Sequence, residues 1–562
     1  MKRFYLLGIA AFYSLLFQGH AFGQGCLPAT DQANLDINNV RCSILNGGDL
    51  WWVPETTVPV YEVPNGSGKN ALYAGALWMG GIDTLGQLHV AAQTYRQSGN
   101  DYWPGILDNF GEADAATCGQ FDRIWSVLGN DISTFIDNFI AAGGVSLPPS
   151  AIPESILQWP GRNNPNFTYF ELPIDRDLAP FYDYNHDGYY DPTLGDYPVI
   201  ASEKPVYADQ MTWCVFNDNG NTHGETGGLP LKMEVGLLAY AFANDSIDAI
   251  NNATFYRYTL RSYNNSLLDD FILGVWSDPD LGNYLDDHVG CMPEKNAGYA
   301  YNCINHDSVY GDQPPAIVLH FLDPINDENN NDLSMNSFIS YNNNFTATGN
   351  PEEADDFYNF LNAHWKDGTP VTLGENGYMG TIPTNFMFSG EMIDSTSSWT
   401  ECQVNNPCGD RRMLMALQPL SMNSRDVRYF TMGVYYVPQF GGCPDIDPAL
   451  LGETINTSTA FHNSLGLLNP ELTPLGIDDK PNMATPSPVT VRIDPQNKLC
   501  YLSTQGGMAH VSVYDIIGNP IVQPFAMQQS TQIDTHTWQT GFYLIVVIDT
   551  NGGRHVKKVF IY

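Results

Sequence analysis

The sequence predicts a mainly β protein: a large antiparallel β-sandwich region with a small helical segment, plus a C-terminal β-sandwich. Three observations carry this prediction. Apolar, β-branched and aromatic runs recur at 232–242, 254–263, 270–276, 316–322, 337–341, 413–417 and 428–436, with turn residues between them. Many strands without regular helices between them read as an antiparallel sandwich. Only 118–142 places its apolar residues three and four apart, at Ile124, Trp125, Leu128, Ile132, Phe135, Ile136 and Phe139, the period of a helix that buries one face. From Val511 alternation returns, with a Gly518-Asn519 turn and a β-branched run from Tyr543, and turn signals about every 8–12 residues mark a second, smaller sandwich.

At 562 residues the chain is too long for one ordinary core and is expected to divide into roughly two to four domains. Hydrophobic residues make up 43% and aromatic residues 12%, against 15% charged, a composition that folds. Twenty-four basic side chains against 62 acidic ones give a net charge of −38. Nucleic acid and anionic membrane surfaces both require a basic face, so neither is an expected partner. Divalent cations are attracted instead. Met1-Lys2-Arg3 followed by an apolar run to Phe17, with Ala21-Phe22-Gly23 after it, reads as a signal peptide over 1–23, cleaved before Gln24. No later segment is long and apolar enough to be a membrane span. Ten cysteines in an exported chain permit disulfides; nearness in sequence favours Cys402 with Cys408, Cys291 with Cys303, and Cys26 with Cys42. No CxxC pair occurs, which argues against a zinc ribbon or a redox dithiol.

Taken in order, residues 24–200 form an N-terminal mixed β and helical region ending in a calcium-type loop. Asn65-Gly66-Ser67-Gly68-Lys69-Asn70 looks like a phosphate loop but lacks the first glycine and the Ser or Thr that binds magnesium, so it reads as a turn. Asp183, Asn185, Asp187 and Asp191 stand at positions 1, 3, 5 and 9 of a loop with Gly188 at position 6. A hard cation wants about six to eight oxygens, and a tightly wound loop turns alternate side chains inward to supply them. Tyr189 would add its backbone carbonyl, and Asp196 would close the shell in place of the glutamate an EF-hand requires. Residues 201–451 form the large β-sandwich region. Within it Asp278, Asp280, Asp286 and Asp287 offer a second cation site, with Gly282 folding the two acidic pairs together, and 323–332 reads as a solvated acidic loop. His223-Gly224-Glu225, with Asp218 nearby, could supply an acid/base pair, but its glycines and asparagines favour a flexible loop. Neither G-x-S-x-G nor H-E-x-x-H is present. Residues 452–487 read as a linker, and 488–562 as the C-terminal domain.

Two resemblances add to this. The order Val513-Tyr514-Asp515-x-x-Gly518, Ile533-Asp534, Trp538-x-x-Gly541-Phe542-Tyr543-Leu544 and Lys557-Lys558-Val559 resembles the C-terminal sorting domain of type IX secretion cargo. The stretches LAPFYDYNHDGYYDPTLGDYP from Leu178, NNATFYRYTL from Asn251, GVWSDPDLGNYLDDHVGC from Gly274, WKDGTP from Trp365 and DRRM from Asp410 resemble a family of secreted β-rich proteins from bacteria that own this system. The resemblances imply recognition by the type IX machinery, removal of the tail, and a secreted or cell-surface location after export to the periplasm. The expected protein is non-enzymatic and stabilised by Ca2+, adhesive or glycan-binding, with a glycan or cell-surface ligand stacked on its many aromatic rings. The alternatives are a secreted hydrolase of polysaccharide or protein, with its site around His223 and Asp278–Asp287, and an extracellular matrix or filament subunit.

Overall fold

In a computed structural model of the chain the described residues are 25–468, apart from 203, 245, 328–330 and 391–398, together with 489–494, 498–504, 509–515, 520–528, 530–538, 541–548 and 554–561. The expected signal peptide, the Gly518-Asn519 turn and most of the expected linker lie outside them. The chain divides into two units, Met1–Leu472 and Thr473–Tyr562.

The larger unit is built on two antiparallel sheets. One runs in the order Gln32–Leu35, Arg41–Leu45, Asp49–Leu50, Ala74–Asp83, Leu268–Asp278, Arg411–Leu417, Met335–Asn342. The other runs Trp125–Leu128, Gln210–Asn217, Met233–Ala241, Ala253–Ser262, Val427–Val437, Ala316–Asp323, Ala297–Asn302, Asp287–Met292. Their facing sides share one core, in which Leu77, Met79 and Val275 of the first sheet meet Val235, Leu237, Tyr256 and Met432 of the second. Alternate residues of the second sheet, among them Trp213, Leu238, Tyr240, Phe255 and Tyr435, point the other way into a second core. That core is closed by Ile132, Phe135 and Phe139 of the helix Gly129–Ala141 and by Leu451 and Ile455 of the helix Pro448–Ser464. A sheet covered on both faces needs apolar residues in unbroken runs. Every residue of Gln210–Asn217, Met233–Ala241 and Ala316–Asp323 is accordingly buried.

The strands fall where the sequence places them, and three other expectations are corrected. A boundary at residue 200 does not separate two domains, because each sheet takes strands from both sides of it. The single helix over 118–142 is a helix Ala115–Phe121, a strand Trp125–Leu128 and a helix Gly129–Ala141. Trp125 and Val127 are buried while Ser126 and Leu128 are exposed; this two-residue period is hidden because Ile124, Trp125 and Leu128 also fit a helical stripe. The first third of the expected linker, 452–464, belongs to the helix Pro448–Ser464, whose Asp447 cap accepts from Ala449 N and whose Pro448 opens the first turn, both ordinary helix-start signals. Its Ser and Thr content concealed Leu451, Ile455 and His462, which are buried.

The disulfides also differ from expectation. The pairs are Cys26–Cys118, Cys303–Cys408 and Cys402–Cys443, at separations of 92, 105 and 41 residues. None of the three pairings expected from nearness forms. Cys42 instead lies in the core with its sulfur 3.4 Å from Tyr256 Oη, and Cys291 donates to Met387 O. Partners in a β-sandwich are set by which strands and loops meet, not by distance along the chain.

The smaller unit contains a three-stranded sheet, Val489–Asp494, Leu499–Thr504 and Ser530–Asp534, and a four-stranded sheet ordered Pro520–Met527, Ala509–Asp515, Gly541–Ile548, Arg554–Ile561. Cys500, Leu502, Val511, Val513, Met527, Ile533, Tyr543, Ile545 and Val547 form its core.

Candidate functional site

Leu268–Asp278 is a central strand held on both sides, with Ser277 opposite Met413 and Asp278 opposite Ala74. Its last residue therefore has little freedom, and Asp278 forms the floor of a cleft of about 760 Å³. Trp276, two residues earlier on the same face, lies parallel to Trp78 with centroids 6.1 Å apart, meets the Tyr95 ring edge-on at 5.2 Å and donates its N–H to Tyr341 Oη at 2.7 Å. Tyr95 donates to Asp278 Oδ2 at 2.5 Å and accepts from Arg412 Nε at 3.0 Å. Arg412 also donates to Asp278 Oδ2 at 3.3 Å and to Asp410 Oδ1. The neighbouring Arg411 faces the other way, where Glu401 takes it through Nη2 at 2.8 Å and Nε at 3.1 Å.

Asp278 is 2% exposed, yet its Oδ1 has no hydrogen-bond partner. Asp280 and Asp410 each bring a carboxylate oxygen to within 4.8 Å of one from Asp278 and of each other. Burial first, and then the charge of its neighbour, hold the Asp280 carboxyl above the usual range; burial raises Asp278 against the pull of Arg412. Glu225 lines the same cleft. It is 7% exposed, accepts from Thr94 Oγ1, leaves Oε2 unpartnered, and is pushed up to about 7 by burial. Aromatic rings complete the walls. Tyr73 and Tyr95 are half-buried, while Tyr284 at 49% and Phe345 at 75% exposure stand open.

The His223 segment is not a flexible loop. His223 is buried, with Nδ1 2.7 Å from Val90 O and Nε2 2.6 Å from Asp218 O. Both ring nitrogens thus face backbone carbonyl oxygens. Asp101 flanks it at 3.6 Å and receives Glu225 N and Thr226 Oγ1, while Asp218 receives Leu231 N and Met233 N. This latch holds Glu225 in the cleft wall and places His223 outside it.

The Asp278–Asp287 set is divided by the fold. Asp278 and Asp280 join Asp410, a residue the sequence reading did not single out as a ligand. Asp286 turns to Asn283 Nδ2 at 2.9 Å and Asn302 Nδ2 at 2.8 Å. Asp287 is buried at the start of its strand, accepts from Leu281 N at 3.3 Å, and is raised by burial. Gly282 does turn the chain, at φ +78°, where a Cβ would stand 2.5 Å from Asp307 Oδ1. The turn leaves Asp286 and Asp287 outside the Asp278–Asp280–Asp410 group, although after burial the charge of Asp280 is what most raises Asp287.

In the Asp183 loop, Asp183 receives Asp187 N and Gly188 N, Asn185 Oδ1 receives Asp187 N, and Asp187 Oδ1 receives Tyr189 N. Asp191 caps the turn after it through Thr193 N and Oγ1. Asp196 is buried and takes Tyr184 N at 2.8 Å and Asp191 N at 2.7 Å, tying both ends of the loop together. Gly188 has φ +82°, as the sharp turn requires. Among the described residues two groups of three acidic, His or Cys side chains converge within 4.8 Å: Asp278, Asp280 and Asp410, and His288 with Cys402 and Cys443. The second contains a disulfide, so its sulfurs are not thiolate ligands.

Comparison with known proteins bears on the tail. Residues 486–562 match the secretion system C-terminal sorting domain. No curated protein matches the chain. A solved polysaccharide lyase is similar at 10% identity over 58% of this chain and 34% of its own, with a TM-score of 0.17, too low to carry an argument about fold or activity. No helix among the described residues is long and apolar enough to cross a membrane. The chain thus ends in a type IX sorting domain, and it is a secreted protein bound for the cell surface or the extracellular space.

Proposed function

We propose that the larger unit is a non-enzymatic saccharide receptor that takes its ligand in the Asp278 cleft, and that calcium in the Asp183 loop stiffens the outer layer. The observation that carries the receptor reading is the pairing of open rings, Tyr284 and Phe345, with a floor of buried carboxylates and Arg412 in one cleft. Aromatic faces stack on the C–H faces of sugars, and carboxylates and guanidinium groups hydrogen-bond their hydroxyls. A glycan array on the mature chain, followed by calorimetry on its best ligand, tests this. Tyr284→Ala and Phe345→Ala should each weaken binding about tenfold, or about 1.4 kcal/mol. Absence of any bound saccharide, or two variants that bind like the parent, would overturn it.

One observation favours hydrolysis as a second reading. Glu225, with its acidity shifted to about 7 and one free oxygen, shares the cleft with Asp278. A protonated and an ionised carboxyl flanking a glycosidic bond is the arrangement hydrolysis uses. Release of reducing ends by the parent, and its loss in Glu225→Gln, separates the two readings. For the tail, a chain truncated at Pro488 should remain inside the cell, and mass spectrometry of the secreted parent should place the mature C-terminus before the sorting domain.

A further inference from the structure

We propose that Asp278, Asp280 and Asp410 form a binding site for a hard divalent cation of the calcium type. The inference stands independently of the saccharide reading. Three carboxylates whose oxygens lie within 4.8 Å of one another repel strongly where water is scarce. With all three ionised, Arg412 offsets one charge and two remain. Its donors are committed to Tyr95 Oη, Asp278 Oδ2 and Asp410 Oδ1, and none reaches Asp278 Oδ1. That oxygen belongs to a side chain 2% exposed, lines the cleft, and has no hydrogen-bond partner. A buried acceptor left bare is costly, more so when charged, and the side chain that carries it stands beside two further carboxylates. A cation answers both the bare oxygen and the uncompensated charge. The donors are all oxygens, with neither imidazole nor thiolate among them, which suits calcium or magnesium rather than zinc or copper.

The placement adds a structural role. Asp278 ends one central strand, Asp280 lies in the loop that follows, and Asp410 immediately precedes the strand Arg411–Leu417 that pairs with the first. A cation held by all three would tie the loop to the neighbouring strand at the floor of the cleft. A proton shared by Asp278 and Asp280 is the competing way to relieve the repulsion.

Calorimetric titration of the metal-stripped mature chain with calcium, paired with terbium luminescence, decides between them. Trp276 and Tyr95 line the cleft and would sensitise a terbium ion bound there. Asp280→Asn and Asp410→Asn should each weaken one class of calcium site at least tenfold and remove most terbium emission. Asp183→Asn, in the other acidic loop, should leave that class intact. Unchanged calcium affinity in both cleft variants would overturn the proposal. So would a parent chain that takes calcium only in a class abolished by Asp183→Asn, or one that takes none while Asp280→Asn melts higher than the parent, the outcome the shared proton predicts. Asp410 is only partly buried, and Asp410→Asn keeps the test available where Asp280→Asn fails to fold.

Discussion

Between Asp183 and Asp196 the carboxylates are held mostly by backbone N–H groups of the same loop. At the cleft floor Asp278, Asp280 and Asp410 arrive from separate stretches, converge within 4.8 Å, and leave an oxygen of Asp278 bare. Both regions are acidic loops beside a glycine with positive φ, and by composition they look alike. The difference is where compensation comes from. The Asp183 loop supplies its own donors, although burial, with the charges of Asp183 and Asp187, still pushes Asp196 up to about 7. The cleft floor relies on one guanidinium from a distant strand and carries a net negative charge into a site that a ligand can reach.

The largest test of this contrast is Arg412→Met. It should destabilise the larger unit by about 3–5 kcal/mol, the usual cost of stripping one partner from a buried charge cluster, read as a fall in the denaturant midpoint. Adding Asp278→Asn should recover part of the loss, because it removes the charge left unpaired. A parent-like midpoint for Arg412→Met would mean that the floor does not depend on that guanidinium.

Next in size is the pH response of Glu225, which burial holds at about 7 in the fold against an ordinary 4.5. The folded state keeps this proton after the unfolded chain has lost it. The contribution is therefore most favourable below about pH 4.5 and declines as pH rises through 7, by on the order of 3 kcal/mol. Glu225→Gln carries no such proton, so the variant should gain on the parent by that amount between pH 4.5 and 8 in parallel melts. Parallel pH profiles would show that the wall is more hydrated than its burial implies.

The smallest effect belongs to the self-sufficient loop. At millimolar calcium and a dissociation constant near ~0.1 mM, chelation with EGTA should remove about 1.4 kcal/mol from the Asp183 site. Asp187→Ala should lose that share of the calorimetric shift while Asp280→Asn retains it.

Local chemistry was readable before any coordinates. The seven strand runs, the stripe through Ile132, Phe135 and Phe139, and the Asp183 spacing all depend on neighbours in the chain, and each left a periodic or positional mark. The failures share a cause. Trp125–Leu128 became a strand because Gln210–Trp213 lies beside it, and Pro448–Ser464 became a buried helix because the second sheet offered it a surface. Asp410 and Arg412 had one faint signal, three consecutive charges, Asp410-Arg411-Arg412, at the start of an otherwise apolar strand.

The sequence alone determined the class of fold and the exported destination written in its tail. These follow from composition and short-range pattern, which survive without knowledge of what packs on what. Tertiary structure alone decided the disulfide partners, the fusion of 24–200 with 201–451 into shared sheets, and the meeting of Tyr95, Glu225, Asp278, Asp410 and Arg412 in one cleft. Those depend on which strands pair across hundreds of residues, and pairing is set by the burial of whole faces, a quantity no local window contains.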